Sequence, residues 1–199
     1  FPFPPDFEAQ LTGARIESMT RRAKYLLAHI RPVGAPEHLW LSHLGMTGRF
    51  EAHPAEARAP DQLANYKHAL ADTVAQKHVH VSLDLDDGTH ITYADPRRFG
   101  FMDLTPASTP SRFLANLGPE PMGSAFNADY FLAACAGRQS PVKAVLLDQK
   151  TIAGLGNIYV CEALFRAGIS PRRKAANLGR VRVARLIPAI RDVLGEAIA

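Results

Sequence analysis

The stretch KTIAGLGNIYVCEALFRAGISPRR, residues 150–173, sets two glycines, Gly154 and Gly156, directly before Asn157 and a run with helical apolar spacing, Ile158, Ala163, Leu164 and Phe165. A second stop follows at Gly168, then Pro171 and the cations Arg172, Arg173 and Lys174. A helix that begins at about Gly156 or Asn157 leaves its first N–H groups without internal partners and its dipole positive at that end, and glycines let the preceding backbone approach an anion closely. The spacing predicts a phosphate seat. It is not the G-x-x-x-x-G-K-[ST] loop, and a nucleotide-binding glycine motif needs a preceding strand where a helix is expected here. An asparagine at this place also serves as a plain helix cap. The basic residues past the helix end favour the seat.

Outward from this stretch, the period of the sequence changes once. Before it, RIESMT, KYLLAHI, HLWLSHL, HVHVSLDL and THITYA alternate with a two-residue period, and the last two flank Asp86-Asp87-Gly88, a hairpin signal. Val79, Val81, Leu83 and Leu85 are expected on one face of a strand, with His78, His80, Ser82 and Asp84 on the other. A divider near residues 105–124 carries Pro106, Pro110, Gly118, Pro119, Pro121 and Gly123. After it the period is helical. Asn127 caps a helix to about Ala136, ended by Gly137; Ser140-Pro141 opens another; the stretch above supplies a third. A fourth runs from about Gly179 to about Ala197, with Val183, Leu186, Ile187, Ile190, Val193 and Leu194 on one face, Arg182, Arg185 and Asp192 on another, and a kink expected at Pro188. The fold class expected is therefore α+β: an antiparallel β domain over residues 1–110, a linker over 111–124 and a helical domain over 125–199.

The chain has 199 residues, 47% of them hydrophobic, enough for one or two cores, and no apolar run approaches the roughly 18 residues that span a bilayer. Its net charge of +4 is unevenly placed. Residues 137–199 carry eleven Lys and Arg against four acids and residues 1–136 twelve against fifteen, which points to a polyanion contacted mainly by the C-terminal part. Cys135 and Cys161 lie in apolar helical runs without a C-x-x-C partner and are expected to be reduced core thiols of a cytosolic protein. The opening FPFPPDF lacks the charged start and long apolar centre of a signal peptide, and the true beginning of the chain is expected to lie upstream.

GLGNIYVCEALFRAGISP resembles the helix-two-turns-helix signature of the formamidopyrimidine-DNA glycosylase family, and RRAKYLL, HLGMTGRF, ADPRRFGFMDL and the interdomain-like LGPEPM agree with that family in the same order. The resemblance covers essentially the whole chain. It implies an N-terminal β-sandwich, a helical helix-two-turns-helix domain ending in a zinc finger, and DNA in the cleft between. The implied activity is that of a bifunctional enzyme, which cuts the glycosidic bond of oxidised purines such as 8-oxoguanine and formamidopyrimidines in duplex DNA and breaks the abasic strand by β,δ-elimination. The implied setting is a monomer in the bacterial cytosol or nucleoid, with no membrane partner.

By the same resemblance Met46, Arg97 and Phe99 match an intercalating triad. Phe99 wedges into the stack, Met46 fills the space of the flipped base, and Arg97 bonds the orphaned cytosine. For an isolated Met or Phe ordinary core is the commoner role, but two arginines beside an aromatic in DPRRF suit a loop facing nucleic acid. Lys24 matches a lysine that binds phosphate beside the lesion and supports catalysis; on a strand its plain alternative is a solvated surface lysine. Asn157 matches a backbone clamp, Lys143 a lysine of the lesion pocket, and His78 and His80 a K-H-x-H segment near the DNA backbone, with Arg172 among the cations past the helix. Alternating histidines also suit a metal, but no third ligand is evident, and no metal is expected in these residues.

The departures from the family pattern lie at the two ends and in one loop. The family nucleophile is an amino-terminal proline followed by a glutamate, whereas Pro2 follows Phe1 and its nitrogen is locked in an amide. These 199 residues alone are thus expected to lack the nucleophile and acid-base pair, and the zinc ion of the intact relative finds no Cys-rich hairpin here. Residues 53–76 fit no pattern. Two other functions compete: an endonuclease VIII-like glycosylase for oxidised pyrimidines, whose wedge residues lie together in one loop, and a noncatalytic nucleic-acid-binding module, since helix-two-turns-helix units occur in a ribosomal protein too.

Overall fold

The computed structural model describes residues 3–54 and 76–198. Phe1, Pro2 and most of the unassigned loop lie outside the described residues. The chain divides into two compact units, one formed by residues up to Arg21 and Tyr25–Thr109, the other by Arg22–Lys24 and the residues from Pro110 on.

In the first unit a short helix α1 (Phe7–Leu11) precedes β1 (Arg15–Arg22), β2 (Tyr25–Arg31), β3 (His38–His43), β4 (Arg49–His53), β5 (Val79–Asp84), β6 (His90–Ala94) and β7 (Phe101–Pro106). One sheet has the order β1-β2-β3-β7 and the other β4-β6-β5. Pairing is antiparallel, with Tyr25 opposite His43, His43 opposite Phe101, and Phe50 opposite Tyr93. Ala28, Ile30, Trp40, Met102 and Leu104 of the first sheet bury their side chains with Tyr93 of the second, while Phe7, Phe50, Val81 and Leu83 pack against them. An aromatic edge links the two layers, Trp40 to Phe50 at 6.1 Å between centroids, and Phe50 in turn rests against its own sheet neighbour Tyr93 at 5.0 Å. This is a β-sandwich with its core between the faces that alternation marks.

The Asp86-Asp87-Gly88 turn closes the β5–β6 hairpin as its sequence requires. Leu85 donates its N–H to Thr89 O at 2.9 Å, and Gly88 takes φ +81°, where a Cβ is disfavoured. Three readings of this unit need correction. β1 is exposed along nearly its whole length, including Ile16 and Met19, so its alternation marks no buried face; it is an edge strand carrying Arg15 and Glu17. β4 and β7 were not expected. The β5 alternation is broken by a bulge between Val79 and Val81, so His78 sits in a 3-10 turn, Gln76–His78, and His80 occupies the bulge.

The second unit is built of α2 (Ala128–Cys135), α3 (Val142–Leu147), α4 (Asn157–Arg166), a 3-10 turn (Ala175–Asn177) and α5 (Arg180–Ile198). Asn127 caps α2 by accepting the Tyr130 N–H at 3.0 Å, and Gly137 follows at φ +70°. Phe126, Phe131, Leu146, Ile152, Leu155, Leu164, Leu186 and Ile190 are essentially inaccessible, each burial worth ~1.5–3 kcal/mol. Pro188 lies inside α5, which continues through it. Both Pro188 and Ala184, whose carbonyl it leaves without an amide donor, face solvent.

The buried face of α4 is Val160, Ala163 and Leu164, continued by its C-cap Ala167, a spacing of three, one and three residues. Ile158 and Phe165 point the other way and are 73% and 85% exposed, contrary to their reading as apolar-face residues. Cys161 shares that outer face and is no core thiol, whereas Cys135 is buried, and burial pushes its thiol up to about 11. Among the described residues no helix is long and apolar enough to cross a membrane.

Candidate nucleic-acid interface

In the first unit, the turn after β3 and the turn after β6 form one assembly around Asp95. That residue is 1% exposed. Its Oδ1 accepts the Thr47 hydroxyl at 2.5 Å and the Arg97 N–H at 3.3 Å; its Oδ2 accepts the Gly100 N–H at 2.7 Å and the Tyr93 hydroxyl at 3.5 Å. Burial alone would raise the Asp95 pKa, but the bonds from Thr47, Gly100, Arg97 and Arg98 outweigh it and hold the carboxyl below its ordinary value. Beside it, burial and the Asp95 charge push the Tyr93 phenol up to about 12. Gly45, at φ +62°, lies so close to the second turn that an added Cβ would meet Gly100 N and Phe99 C at 2.6 Å.

On this base stand the side chains of Met46, Arg97 and Phe99. Met46 is 70% exposed and Phe99 54% exposed, so neither belongs to the core. The Arg97 guanidinium rests 4.5 Å from the centre of the Phe99 ring, a cation–π contact worth ~0.5–1 kcal/mol at an exposed site. Arg98 takes φ +55°, at a cost of ~1–2 kcal/mol for a residue with a Cβ, and its N–H donates to Asp95 O at 3.2 Å. His78 and His80 serve the same turn from behind. His78 O accepts the Asp95 N–H at 2.9 Å, and His80 Nε2 lies 3.0 Å from Asp95 O.

In the second unit, Lys24 lies on the turn between β1 and β2, not on a strand. Ala23 makes that turn at φ +54°, and its N–H reaches Glu120 Oε1 at 2.6 Å, the same oxygen that Arg22 Nη1 meets at 2.6 Å. The Cα of Ala23 stands 3.5 Å from where a Cβ of Gly154 would be, and Lys24 Nζ 3.9 Å from where a Cβ of Gly156 would be. The glycine turn is fixed by Gln149. Its Oε1 accepts the Gly154 N–H at 2.8 Å, and its Nε2 donates to Leu147 O and Leu155 O at 3.0 and 3.1 Å. Gly156 is the N-cap of α4, and Asn157, its exposed first residue, makes no capping bond. Lys24 is exposed, yet partial desolvation lowers its pKa.

An ammonium beside the positive end of a helix is unfavourable until an anion lies between them. Further along the unit, Val142 N–H donates to Arg173 O at 2.8 Å and Ala175 N–H to Ser140 O at 3.0 Å, which sets the start of α3, with Lys143, alongside the segment that carries Arg172. Thr47, Asp95, Glu120 and Gln149 were missed by the sequence reading, although three of them lie inside the quoted motifs. Among the described residues no three His, Cys, Asp or Glu side chains group as a metal would require. Cys135 and Cys161 do not fit a zinc site, since one is buried and the other exposed.

Comparison with known proteins finds matches for both parts of the chain. Residues 1–102 match the formamidopyrimidine-DNA glycosylase N-terminal domain, and residues 117–199 match the formamidopyrimidine-DNA glycosylase H2TH domain. The formamidopyrimidine-DNA glycosylase of Ruegeria pomeroyi is 50% identical over 200 residues, covering 100% of this chain and 66% of its own length. The chain thus spans slightly less than two thirds of that relative. The crystal structure of the Lactococcus lactis enzyme, bound noncovalently to DNA containing an abasic site, matches with TM-score 0.76 and 30% identity over 96% of this chain and 66% of that one. The Thermus thermophilus protein matches with TM-score 0.71 and 37% identity over 94% of this chain and 61% of that one. With half of its residues under one family description and most of the remainder under the companion domain, the chain belongs to the formamidopyrimidine-DNA glycosylase family.

Proposed function

We propose that this chain serves DNA base-excision repair, in a monomeric glycosylase and lyase that excises oxidised purines from duplex DNA and nicks the abasic strand by β,δ-elimination. The observation that carries the proposal is the pair of exposed apolar side chains, Met46 and Phe99, on two turns joined through Asp95. Extruding a base costs a few kcal/mol, and an apolar side chain that enters the vacated stack offsets part of that cost. Arg97, beside Phe99, has the donors to meet the base left without a partner. Lys24 and the amide end of α4 at Asn157 suit the phosphates of the damaged strand, with Lys143, Arg172, His78 and His80 as further contacts. Triad residues divided between two turns fit the purine enzymes rather than a wedge carried in a single loop. Solved relatives that hold DNA with an abasic site or a formamidopyrimidine lesion support the same substrate class.

The test is a titration of this chain with matched duplexes, intact or with one abasic site, between about 50 and 200 mM salt. Tighter binding to the abasic duplex, weakening as salt rises, is the expected result. Equal affinity for both duplexes, or affinity that does not respond to salt, would overturn the proposal.

A further inference from the structure

Each member of the triad is, or directly adjoins, a residue that bonds the Asp95 carboxylate. Met46 precedes Thr47, Arg97 supplies its own amide, and Phe99 precedes Gly100. The Arg97 N–H is shared, 3.3 Å from Asp95 Oδ1 and 3.3 Å from Thr47 Oγ1, so the hydroxyl ties residue 47 to residue 97 without an intermediary. A buried carboxylate is costly unless its lone pairs are filled, and an apolar residue would pack the space more cheaply. What the carboxylate adds is convergence: donors from both turns and from Tyr93 meet on two oxygens. Shape alone is already secured by Gly45, whose backbone abuts Phe99 and Gly100.

We propose that Thr47 and Asp95 are positioning residues that hold the Met46 turn and the Arg97–Phe99 turn as one two-pronged element, and that discrimination of the base opposite a lesion depends on this link. The proposal rests on the repair function above and assigns it a specificity device. Neither residue touches the DNA in it. Their effect passes through the placement of Arg97, whose hydrogen bonds to a base edge demand tighter geometry than a wedge does.

Thr47→Val removes the hydroxyl at nearly constant shape, and Thr47→Ser restores it. Two readouts separate the link from its use: hydrogen exchange of the Arg97 and Gly100 amides in the free chain, and affinity for abasic duplexes with each of the four opposing bases. Thr47→Val should lower amide protection by roughly threefold to tenfold, the range that one net hydrogen bond supports. It should flatten the preference for cytosine more than it weakens binding overall, and Thr47→Ser should keep both. Unchanged protection in Thr47→Val overturns the link. Reduced protection with an intact cytosine preference overturns the specificity role. A wild-type chain that prefers abasic duplexes but does not distinguish opposing bases overturns this role and leaves the repair function standing, whereas one without the abasic preference overturns both.

Discussion

Lys24 Nζ lies 3.9 Å from the point where a Cβ on Gly156 would stand, while Gly154, two residues earlier, is held at φ +93° against Ala23. The two glycines therefore differ in what an added methyl does. Gly156→Ala meets only an ordinary contact with a flexible side chain and should change stability by less than about 1 kcal/mol. Gly154→Ala imposes a conformation rare for a residue with a Cβ, at about 1–2 kcal/mol. Urea unfolding of the two variants checks the contrast, and equal losses would contradict it.

Replacing Lys24 with Met keeps most of the aliphatic stem and removes the charge. Binding should weaken alike for all duplex sequences, and the slope of log affinity against log salt should fall by roughly one phosphate contact. Asn157→Ala should weaken binding without that change of slope, since the amide carries no charge. Fluorescence anisotropy over a salt series separates the two.

Phe99→Ala should reduce affinity for an abasic site whichever base lies opposite, whereas Arg97→Ala should chiefly flatten the preference for cytosine, by about 1–3 kcal/mol if its contact is bidentate. Arg97 rests on the Phe99 ring, so Phe99→Ala also releases the guanidinium. Phe99→Leu keeps an apolar wedge without the aromatic face and shows how much that contact matters. Equal losses over all four bases for Arg97→Ala would mean that it holds phosphate.

The helical unit offers a stability check free of DNA. Phe131 is fully buried, its ring edge to face with Phe126 at 5.6 Å, and Phe131→Ala should destabilise the unit by about 3–5 kcal/mol. Asn127→Ala removes one capping bond and should cost about 1 kcal/mol. Thermal or urea unfolding followed by circular dichroism measures both.

The Asp95 network has a defined response to acid. The folded carboxyl titrates below the ordinary value of 3.8, so its contribution is complete above that value and is lost as pH falls through the lower, folded value. Tyr93, pushed up to about 12, stays neutral throughout this window. Amide protection in the Arg97–Gly100 turn should hold from neutrality down to the ordinary carboxylate range and collapse only below it. Asp95→Asn should remove that acid step.

Local features of the fold were legible from the chain: the hairpin at Gly88, the Asn127 cap, the glycine turn before α4 and the apolar face of α5 all follow from short-range patterns. Their partners were not. Thr47 meets Asp95 across 48 residues and Arg22 meets Glu120 across 98, and no periodicity encodes such a pairing. The turn that carries Lys24 escaped because a non-glycine, Ala23, takes the left-handed conformation, held there by the Glu120 carboxylate. The apolar residues of α4 were misassigned for a different reason. Ile158 and Phe165 share a face with each other but not with the core, and hydrophobicity alone does not choose between two such faces.

That outer face of α4 gives the protein a built-in attachment point. Cys161 is exposed, its Sγ 3.8 Å from Asn157 Oδ1, one helical turn from the mouth of the helix, while the Cys135 thiol is buried and, with a pKa of about 11, scarcely ionised at neutral pH. A maleimide dye added to the folded chain should therefore label a single position, and its emission would report, without any engineered cysteine, on whatever comes to rest against the first turn of that helix.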